Sequence, residues 1–246
     1  MRIAVLAVGT RGDVEPLIAL AAGLRTAGHD VTLATGAPYA RLVHSAGLAF
    51  APLEGDSHDL LAGVQAQAWR SAGNNPARFW AQLGRLVDPL ADALLEEAWS
   101  ACESAEVIIW TPRTPVGYHA AEALRVPGLL AGLQPLMPDA GLACPPFPEL
   151  PLPGPLYRLF NRAGPLIGEE AAWLLSRPLA RRWRSRLGLR AHGLTSPYAR
   201  IRARGRPIIY GFSPRVVPRP QSWGEKVQVT GYWTLPTADW PVPPAL

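Results

Sequence analysis

The chain begins with an apolar run that leads directly into a glycine-containing loop: Ile3-Ala4-Val5-Leu6-Ala7-Val8-Gly9-Thr10-Arg11-Gly12-Asp13. A run that is apolar at every position is typical of a parallel strand covered on both faces. The apolar spacing that follows predicts a helix over residues 14–27, which Gly28 ends. Asp13 is the expected N-cap of this helix, and Pro16 falls in its expected first turn. A buried strand, a tight loop and a helix are how an α/β sheet begins.

The same alternation of strands and helices continues along the chain. Apolar runs predict further strands at residues 31–35, 48–51, 107–110, 128–133, 207–210 and 227–229. Helical spacing predicts helices at residues 38–46, 76–102 (capped by Asn75), 115–124, 156–187 and 196–204. Irregular structure is expected at 52–73 and in the proline-rich segment 135–155. The order predicts an α/β fold, a Rossmann-like doubly wound parallel sheet over residues 1–232, followed by an extended linker over 233–246.

Composition excludes several classes of protein. Of the 246 residues, 48% are hydrophobic and 17% are charged, which excludes a disordered chain. The apolar runs are too short for a transmembrane helix, and the N-terminal run lacks a signal-peptide cleavage pattern. Cys102, Cys144 and the five histidines show neither metal-ligand spacing nor a disulfide framework. We therefore expect a reduced, cytoplasmic protein with no bound metal.

The positive charge of the chain is uneven. The formal net charge is +5, and one segment is crowded with arginines: Arg177, Arg181, Arg182, Arg184, Arg186, Arg190, Arg200, Arg202, Arg204 and Arg206. This segment is interpreted either as a solvated helical face or as a surface that contacts the anionic inner face of a membrane. Nucleic-acid binding is not expected, because the segment lacks interleaved aromatic residues and any known motif.

The loop after the first strand carries the main candidate chemistry. Its spacing is Gly-x-x-Gly-Asp over residues 9–13, which differs from the Gly-x-Gly-x-x-Gly dinucleotide fingerprint. Asp13 places a negative charge where a pyrophosphate would lie, and residues 34–36 offer no acid to hold a ribose. Both features argue against NAD or FAD. A carboxylate at this position either caps the helix or accepts a proton from a hydroxyl nucleophile.

Several motifs together resemble the N-terminal half of GT-B glycosyltransferases of families 1 and 28. Within these families, the chain is most similar to the sterol and lipid glucosyltransferases and to the glycosyltransferases of antibiotic biosynthesis. The resemblance covers nearly the whole chain, and it rests on residues 9–16, 28–35, 47–53, 111–112, 117–122, 126–127, 211–214, 217–220 and 229–233.

The resemblance implies a fold and a set of roles. The family has two Rossmann-like domains, of which the N-terminal one binds the acceptor and the C-terminal one binds the nucleotide sugar. By this resemblance Asp13 is the base that deprotonates the acceptor hydroxyl in an inverting transfer. The implied substrate-binding residues are Gly9, Thr10, Arg11 and Gly12 in the loop and His119 on the acceptor side. Thr111 and Gln134 are candidates by position, because they end the fourth and fifth predicted strands at the same edge of the sheet and could hydrogen-bond the acceptor. An apolar or lipid-like acceptor would suit the tryptophans near that region, Trp69, Trp80, Trp99 and Trp110.

The chain departs from the family pattern at one point. The C-terminal signature, a His-Gly-Gly stretch followed by an Asp-Gln pair, is absent, and Ala191-His192-Gly193 does not match it. The resemblance therefore implies that a UDP- or TDP-hexose is a co-substrate held by a C-terminal donor domain, in cis or on another chain, and that no further cofactor is needed. The alternative is a non-catalytic module that binds a lipid-like ligand or assists a complete transferase.

Overall fold

A single parallel sheet organises the computed structural model, which describes residues 1–53, 75, 78, 82, 91–139, 141–142 and 153–236. Its seven strands pair in the order β3-β2-β1-β4-β5-β6-β7, all in parallel. They are β1 (Arg2–Leu6), β2 (Asp30–Thr35), β3 (Ala49–Pro52), β4 (Val107–Trp110), β5 (Gly128–Gly132), β6 (Ile208–Tyr210) and β7 (Val227–Val229). The α/β, Rossmann-like prediction is confirmed.

The strand order contains one reversal. The chain runs outward from β1 through β2 to β3, and then returns to place β4 on the other side of β1. The connections after β1 and after β4 therefore leave the carboxyl edge of the sheet in opposite directions. This divergence opens a crevice between the two loops, which is where open α/β sheets bind ligands.

Helices connect and cover the strands. A 3₁₀ turn, Ala37–Tyr39, precedes α2, and the proline-rich segment ends where α5 begins. The helices are α1 (Arg11–Thr26), α2 (Ala40–Ser45), α3 (Ala91–Cys102), α4 (Val116–Leu124), α5 (Gly154–Arg186) and α6 (Pro197–Ala203). The helix expected at 38–46 is therefore shorter and begins with a tighter turn.

Some predicted segments extend beyond the described residues. About half of the expected helix at 76–102 lies there, and its C-terminal part is α3. Asn75 Oδ1 accepts a hydrogen bond from the Arg78 amide at 3.1 Å, as an N-cap does. Most of the irregular segments at 52–73 and 135–155 also lie outside the described part. So do residues 237–246 of the expected linker.

Helix α1 begins earlier than predicted, which corrects the role of Asp13 as N-cap. Thr10 has extended backbone angles, φ −72° and ψ 170°, and is the N-cap, so Asp13 is the third helical residue. The Asp13 carboxylate reaches back to the Thr10 amide at 2.9 Å, which is one half of a capping box. Pro16 consequently lies in the second turn, where it cannot donate a hydrogen bond to the Gly12 carbonyl.

The alternating side chains of β1 build a core on both faces of the sheet. Ile3, Val5 and Ala7 face α1 and α2, in a cluster with Leu17, Ile18, Val31, Leu33 and Val43. Ala4, Leu6 and Val8 face α3 and α4, in a cluster with Leu95, Ala98, Ile108, Val116 and Ala120. This two-sided burial explains why the strand is apolar at every position.

The start of the expected linker remains attached to the domain. The Trp233 ring lies against Gly211, where an added Cβ would come within 2.7 Å of it, and its indole nitrogen donates to Thr230 Oγ1 at 2.8 Å. Trp233 and Leu235 both pack against the core on the α1 face. The chain therefore follows the sheet past residue 233.

Helix α4 lies unusually close to the sheet at Gly117. A Cβ added there would be 2.6 Å from Trp110 Cβ and 2.9 Å from Leu6 Cδ1, shorter than real contacts allow. Gly23, an exposed glycine in α1, has no heavy atom within 4 Å of an added Cβ. The two glycines therefore form a matched pair, one required by packing and one not.

We predict opposite effects of the same substitution at these two positions. Gly117→Ala should lower the free energy of unfolding by about 1–3 kcal/mol, because the helix must move off the sheet. Gly23→Ala should raise it by about 0.5–1 kcal/mol, because alanine restricts the unfolded chain and favours the helix. Urea denaturation of both variants measures the two changes. A stabilised Gly117→Ala protein would contradict the close packing of α4.

Candidate functional site

The Asp13 carboxylate lies at the carboxyl edge of β1, beside the crevice between β1 and β4. Its Oδ2 accepts hydrogen bonds from the Thr10 amide at 2.9 Å and from the Thr10 hydroxyl at 2.8 Å. Its Oδ1 faces the Nε of Arg113 at 3.2 Å, and 27% of the Asp13 side chain is exposed. The carboxylate is thus held from two sides and still reaches solvent.

Gly9 makes room for this carboxylate. Its φ is +130°, a region that favours glycine, and an added Cβ would lie 2.6 Å from Asp13 Oδ2. The Gly9 carbonyl accepts a hydrogen bond from the Tyr39 hydroxyl at 3.1 Å, which fixes the loop to the turn after β2. The space that a side chain at position 9 would fill is therefore occupied by the Asp13 carboxylate.

Arg113 is a site residue that the sequence analysis missed. It lies in the turn directly after β4, the strand that neighbours β1 on the crevice side. The Thr114 hydroxyl ties this turn to the sheet, since it accepts from the Thr111 amide at 2.9 Å and lies 3.2 Å from the Leu6 carbonyl oxygen. The available signal was positional: the predicted strand at 107–110 ends three residues before an arginine.

The other loop residues are exposed to different degrees. Arg11 and Gly12 are exposed on the first turn of α1, and Arg11 Nε donates to Glu15 at 2.5 Å. Gln134 is exposed in the loop after β5. Thr111 is only 8% exposed, and its hydroxyl lies 3.2 Å from that of Thr114, so it belongs to the turn. The crevice therefore brings together residues 9–13, Arg113 and the edge of Thr111.

The structure does not bring His119 to the crevice surface. Its side chain is 1% exposed, between α4 and α5, with Nδ1 3.2 Å from Arg184 Nη1. Arg184 in turn donates two hydrogen bonds to Glu122, at 2.8 and 2.9 Å. Burial, followed by the positive charge of Arg184, lowers the pKa of His119 to about 3. The ring is therefore a neutral part of the packing between two helices.

Several arginines of the crowded segment link elements of the fold. Arg184 is buried against Glu122, and Arg182 and Arg186 each donate to Asp92 on α3 at 2.8 Å. Arg202 on α6 pairs with Glu169 on α5. These four arginines hold α5 and α6 against the rest of the domain, so the segment is more than a solvated face.

The structure describes two of the four candidate tryptophans and one of the two cysteines. Trp110 is buried beside Tyr118 and Tyr198, and Trp99 packs against the core on the α4 face. Burial raises the pKa of the Cys102 thiol to about 12, which keeps it protonated. Trp69, Trp80 and Cys144 lie outside the described residues. Within the described ranges, histidines, cysteines and acidic residues form no group of three or more that could hold a metal ion.

Comparison with known proteins identifies relatives along the whole chain. Residues 3–140 match the glycosyltransferase family 28 N-terminal domain. The chain is 33% identical over 258 aligned residues to a sterol 3-beta-glucosyltransferase of Emericella nidulans, covering 100% of this chain and 17% of that protein. It is also 33% identical to a sterol 3-beta-glucosyltransferase of Cryptococcus neoformans, with 97% and 14% covered. The chain thus spans about a sixth of these relatives.

Solved structures share the fold. The SsfS6 glycosyltransferase of Streptomyces sp. SF2575 aligns with a TM-score of 0.53 and 21% identity, over 93% of this chain and 53% of that one. The glycosyltransferase of kitacinnamycin aligns with a TM-score of 0.60 and 17% identity, over 99% and 55%. At these identities the likeness concerns the fold alone, and this chain corresponds to about half of each structure.

We predict that the buried histidine makes the fold sensitive to acid. His119 has a pKa of about 3 in the fold and its ordinary value of 6.5 when unfolded. Below about pH 6.5 the unfolded chain therefore binds a proton that the folded chain does not, and stability falls by about 1.4 kcal/mol per pH unit for this one group.

The test is urea denaturation at several pH values between about 7 and 5. His119→Asn keeps an acceptor near Arg184 and removes the titrating ring. The free energy of unfolding of this variant should therefore fall less steeply with decreasing pH than that of the parent, by about 1.4 kcal/mol per pH unit. Equal slopes in the two proteins would show that His119 is not neutral in the fold.

Proposed function

Because the chain belongs to the glycosyltransferase family 28 N-terminal domain family, we propose that it is the acceptor-binding half of an inverting glycosyltransferase. The enzyme would move a hexose from a nucleotide sugar to a hydroxyl of an apolar acceptor. The single observation that carries this proposal is the Asp13 carboxylate, held by Thr10 and Arg113 at the crevice between β1 and β4.

Asp13 is suited to act as the base in this reaction. The acceptor hydroxyl would give its proton to the Asp13 carboxylate while its oxygen forms the bond to the anomeric carbon. The bond from that carbon to the nucleoside diphosphate would break at the same time, and the diphosphate would leave with the electron pair. A carboxylate is a weak base towards an alcohol, so proton transfer and attack would be concerted.

The donor would bind mainly to a second half. The curated relatives and the solved structures are longer than this chain, which covers 17% of the Emericella nidulans sterol 3-beta-glucosyltransferase and 53% of the SsfS6 structure. The His-Gly-Gly and Asp-Gln signature expected for donor binding is not found in residues 1–246. We therefore propose that a C-terminal domain supplies the UDP- or TDP-hexose site, and that the crevice between β1 and β4 faces it.

The acceptor class is proposed from two sources. The sterol 3-beta-glucosyltransferases of Emericella nidulans and Leptosphaeria maculans are 33% and 32% identical to this chain over its whole length. The domain also presents apolar side chains on one face of α5, where Leu156, Leu159, Ile167 and Leu174 are each more than half exposed at helical spacing. A sterol or a similar lipid would fit an enzyme with such a face.

The same face favours contact with a membrane that holds the acceptor. Arg158 and Arg162 lie exposed on the same helix as the apolar side chains. An amphipathic helix with apolar and basic residues binds in the headgroup region of anionic bilayers. In the part of the chain that the structure describes, no helix is long and apolar enough to span a bilayer. We propose a peripheral contact because the exposed apolar side chains occupy one face of α5.

We predict that Asp13→Asn lowers transfer to a hydroxyl acceptor by roughly 10²–10⁴-fold in the protein that carries both halves. The asparagine side-chain oxygen can still accept from Thr10, so the melting temperature should change little. The measurement is the rate of glycosylated product, with Asp30→Asn, an exposed acid at the amino edge of β2, as the matched control.

Asp13→Ala separates catalysis from capping. It removes both Thr10 hydrogen bonds and should cost about 1–3 kcal/mol of stability in addition to the lost transfer. Transfer by Asp13→Asn within a few-fold of the parent would show that Asp13 is a capping residue only. It would favour the alternative of a non-catalytic ligand-binding module.

We predict that Ile167→Gln lowers binding of the chain to anionic phosphatidylglycerol vesicles by about 10-fold. Burying an isoleucine is worth about 1.5–3 kcal/mol, so its loss weakens the contact by at least that factor. Val216→Gln is the matched control, because Val216 is equally exposed (66% against 69%) but lies off α5. Vesicle co-sedimentation measures both, and equal binding to neutral and anionic vesicles would contradict the proposed surface.

A further inference from the structure

We propose that Arg113 is a positioning residue for Asp13, and that it fixes Oδ1 as the oxygen that takes the acceptor's proton. This inference rests on the proposed function, in which Asp13 is the base. The supporting observation is the contact between Arg113 Nε and Asp13 Oδ1 at 3.2 Å, across the crevice between β1 and β4.

The two carboxylate oxygens of Asp13 have different surroundings. Oδ2 accepts from the amide and the hydroxyl of Thr10, and it lies against Gly9, where an added Cβ would be 2.6 Å away. Oδ2 is therefore turned into its own loop. Oδ1 faces across to Arg113, on the side where the crevice opens. Of the two oxygens, Oδ1 is the one that an acceptor hydroxyl can approach.

The backbone that carries Arg113 is fixed relative to β1. Thr114, which is fully buried, accepts from the Thr111 amide at 2.9 Å, and its hydroxyl is 3.2 Å from the Leu6 carbonyl oxygen at the end of β1. The turn after β4 and the loop after β1 thus share one anchor. This anchor fixes the position from which the Arg113 side chain reaches Asp13.

The positive charge of Arg113 is the property that we expect to position Asp13. The contact that supports the proposal is made by Nε, at 3.2 Å from Asp13 Oδ1, and positioning by charge does not require the paired geometry of a bidentate arginine. The aliphatic part of a lysine side chain is one carbon longer than the part of an arginine side chain that ends at Nε. A lysine ammonium can therefore reach nearly the position that Nε occupies. Arg113→Lys should therefore preserve the function of this residue, and Arg113→Met, which keeps a stem without charge, should not.

The ion pair contributes to orientation more than to folding. The Arg113 side chain is 42% exposed, and ion pairs at such positions add little to the free energy of unfolding. Orientation of a base is worth more, because a misplacement of about 1 Å can reduce a rate by about 100-fold. Loss of Arg113 should therefore lower kcat without lowering the melting temperature.

The experiment measures kcat, both KM values and the melting temperature in the protein that carries both halves. We expect Arg113→Met to lower kcat by roughly 10–100-fold with the KM for donor and acceptor little changed, and Arg113→Lys to restore most of it. Arg204→Met, an exposed arginine at the end of α6, is the matched control and should retain the parent kcat.

A double substitution tests whether Arg113 acts through Asp13. In the Asp13→Asn background, Arg113→Met should have almost no further effect on the residual transfer rate, because the group that it positions is gone. An undiminished effect in that background, or an unchanged or faster rate for Arg113→Met alone, would overturn the inference. If Asp13→Asn itself keeps the parent rate, the proposed function fails instead, so the two failures are distinguishable.

Discussion

The burial of β1 on both faces is the constraint on which the rest of the structure depends. Its side chains alternate between two helical layers. Its two neighbours in the sheet are β2, which is the next strand in the sequence, and β4, which follows only after β3. A strand in this position has its carboxyl end under the crevice by necessity. The loop that follows it is therefore both a connection and part of the lining of the crevice, and Gly9 and Asp13 in that loop pack closely against each other.

Much of this arrangement can be predicted from the sequence, because buried strands and helices have characteristic spacings of apolar residues. All seven strands were predicted near their observed positions, since each is an apolar run bounded by turn residues. The start of α1 was placed three residues late, because Asp13 has the chemistry of an N-cap and also that of the third residue in a capping box. Sequence alone cannot choose between these, since the choice depends on the extended backbone of Thr10.

Contacts between distant segments account for what the sequence could not reveal. Arg113 lies directly after the Thr111-Pro112 pair but outside the motif, and only the pairing of β4 with β1 brings it to Asp13. The resemblance over residues 117–122 assigns His119 to the acceptor side, but its ring turns inward to Arg184, which lies 65 residues away along the chain. From the sequence, the arginines of α5 and α6 are interpreted as one charged surface. In the structure, several of them pair with acidic residues of α3, α4 and α5, which lie far from them in the sequence.

The anchoring of Trp233 has a consequence for building hybrid enzymes. The ring covers Gly211 so closely that a larger residue at 211 would displace it, and Leu235 adds a second attachment to the core. A segment that packs in this way belongs physically to this N-terminal domain, although it contributes no strand. A chimera that joins this domain to the C-terminal part of another family member should therefore take its junction after Leu235, because a cut at the end of β7 would expose the surface that Trp233 covers and leave the indole ring without support.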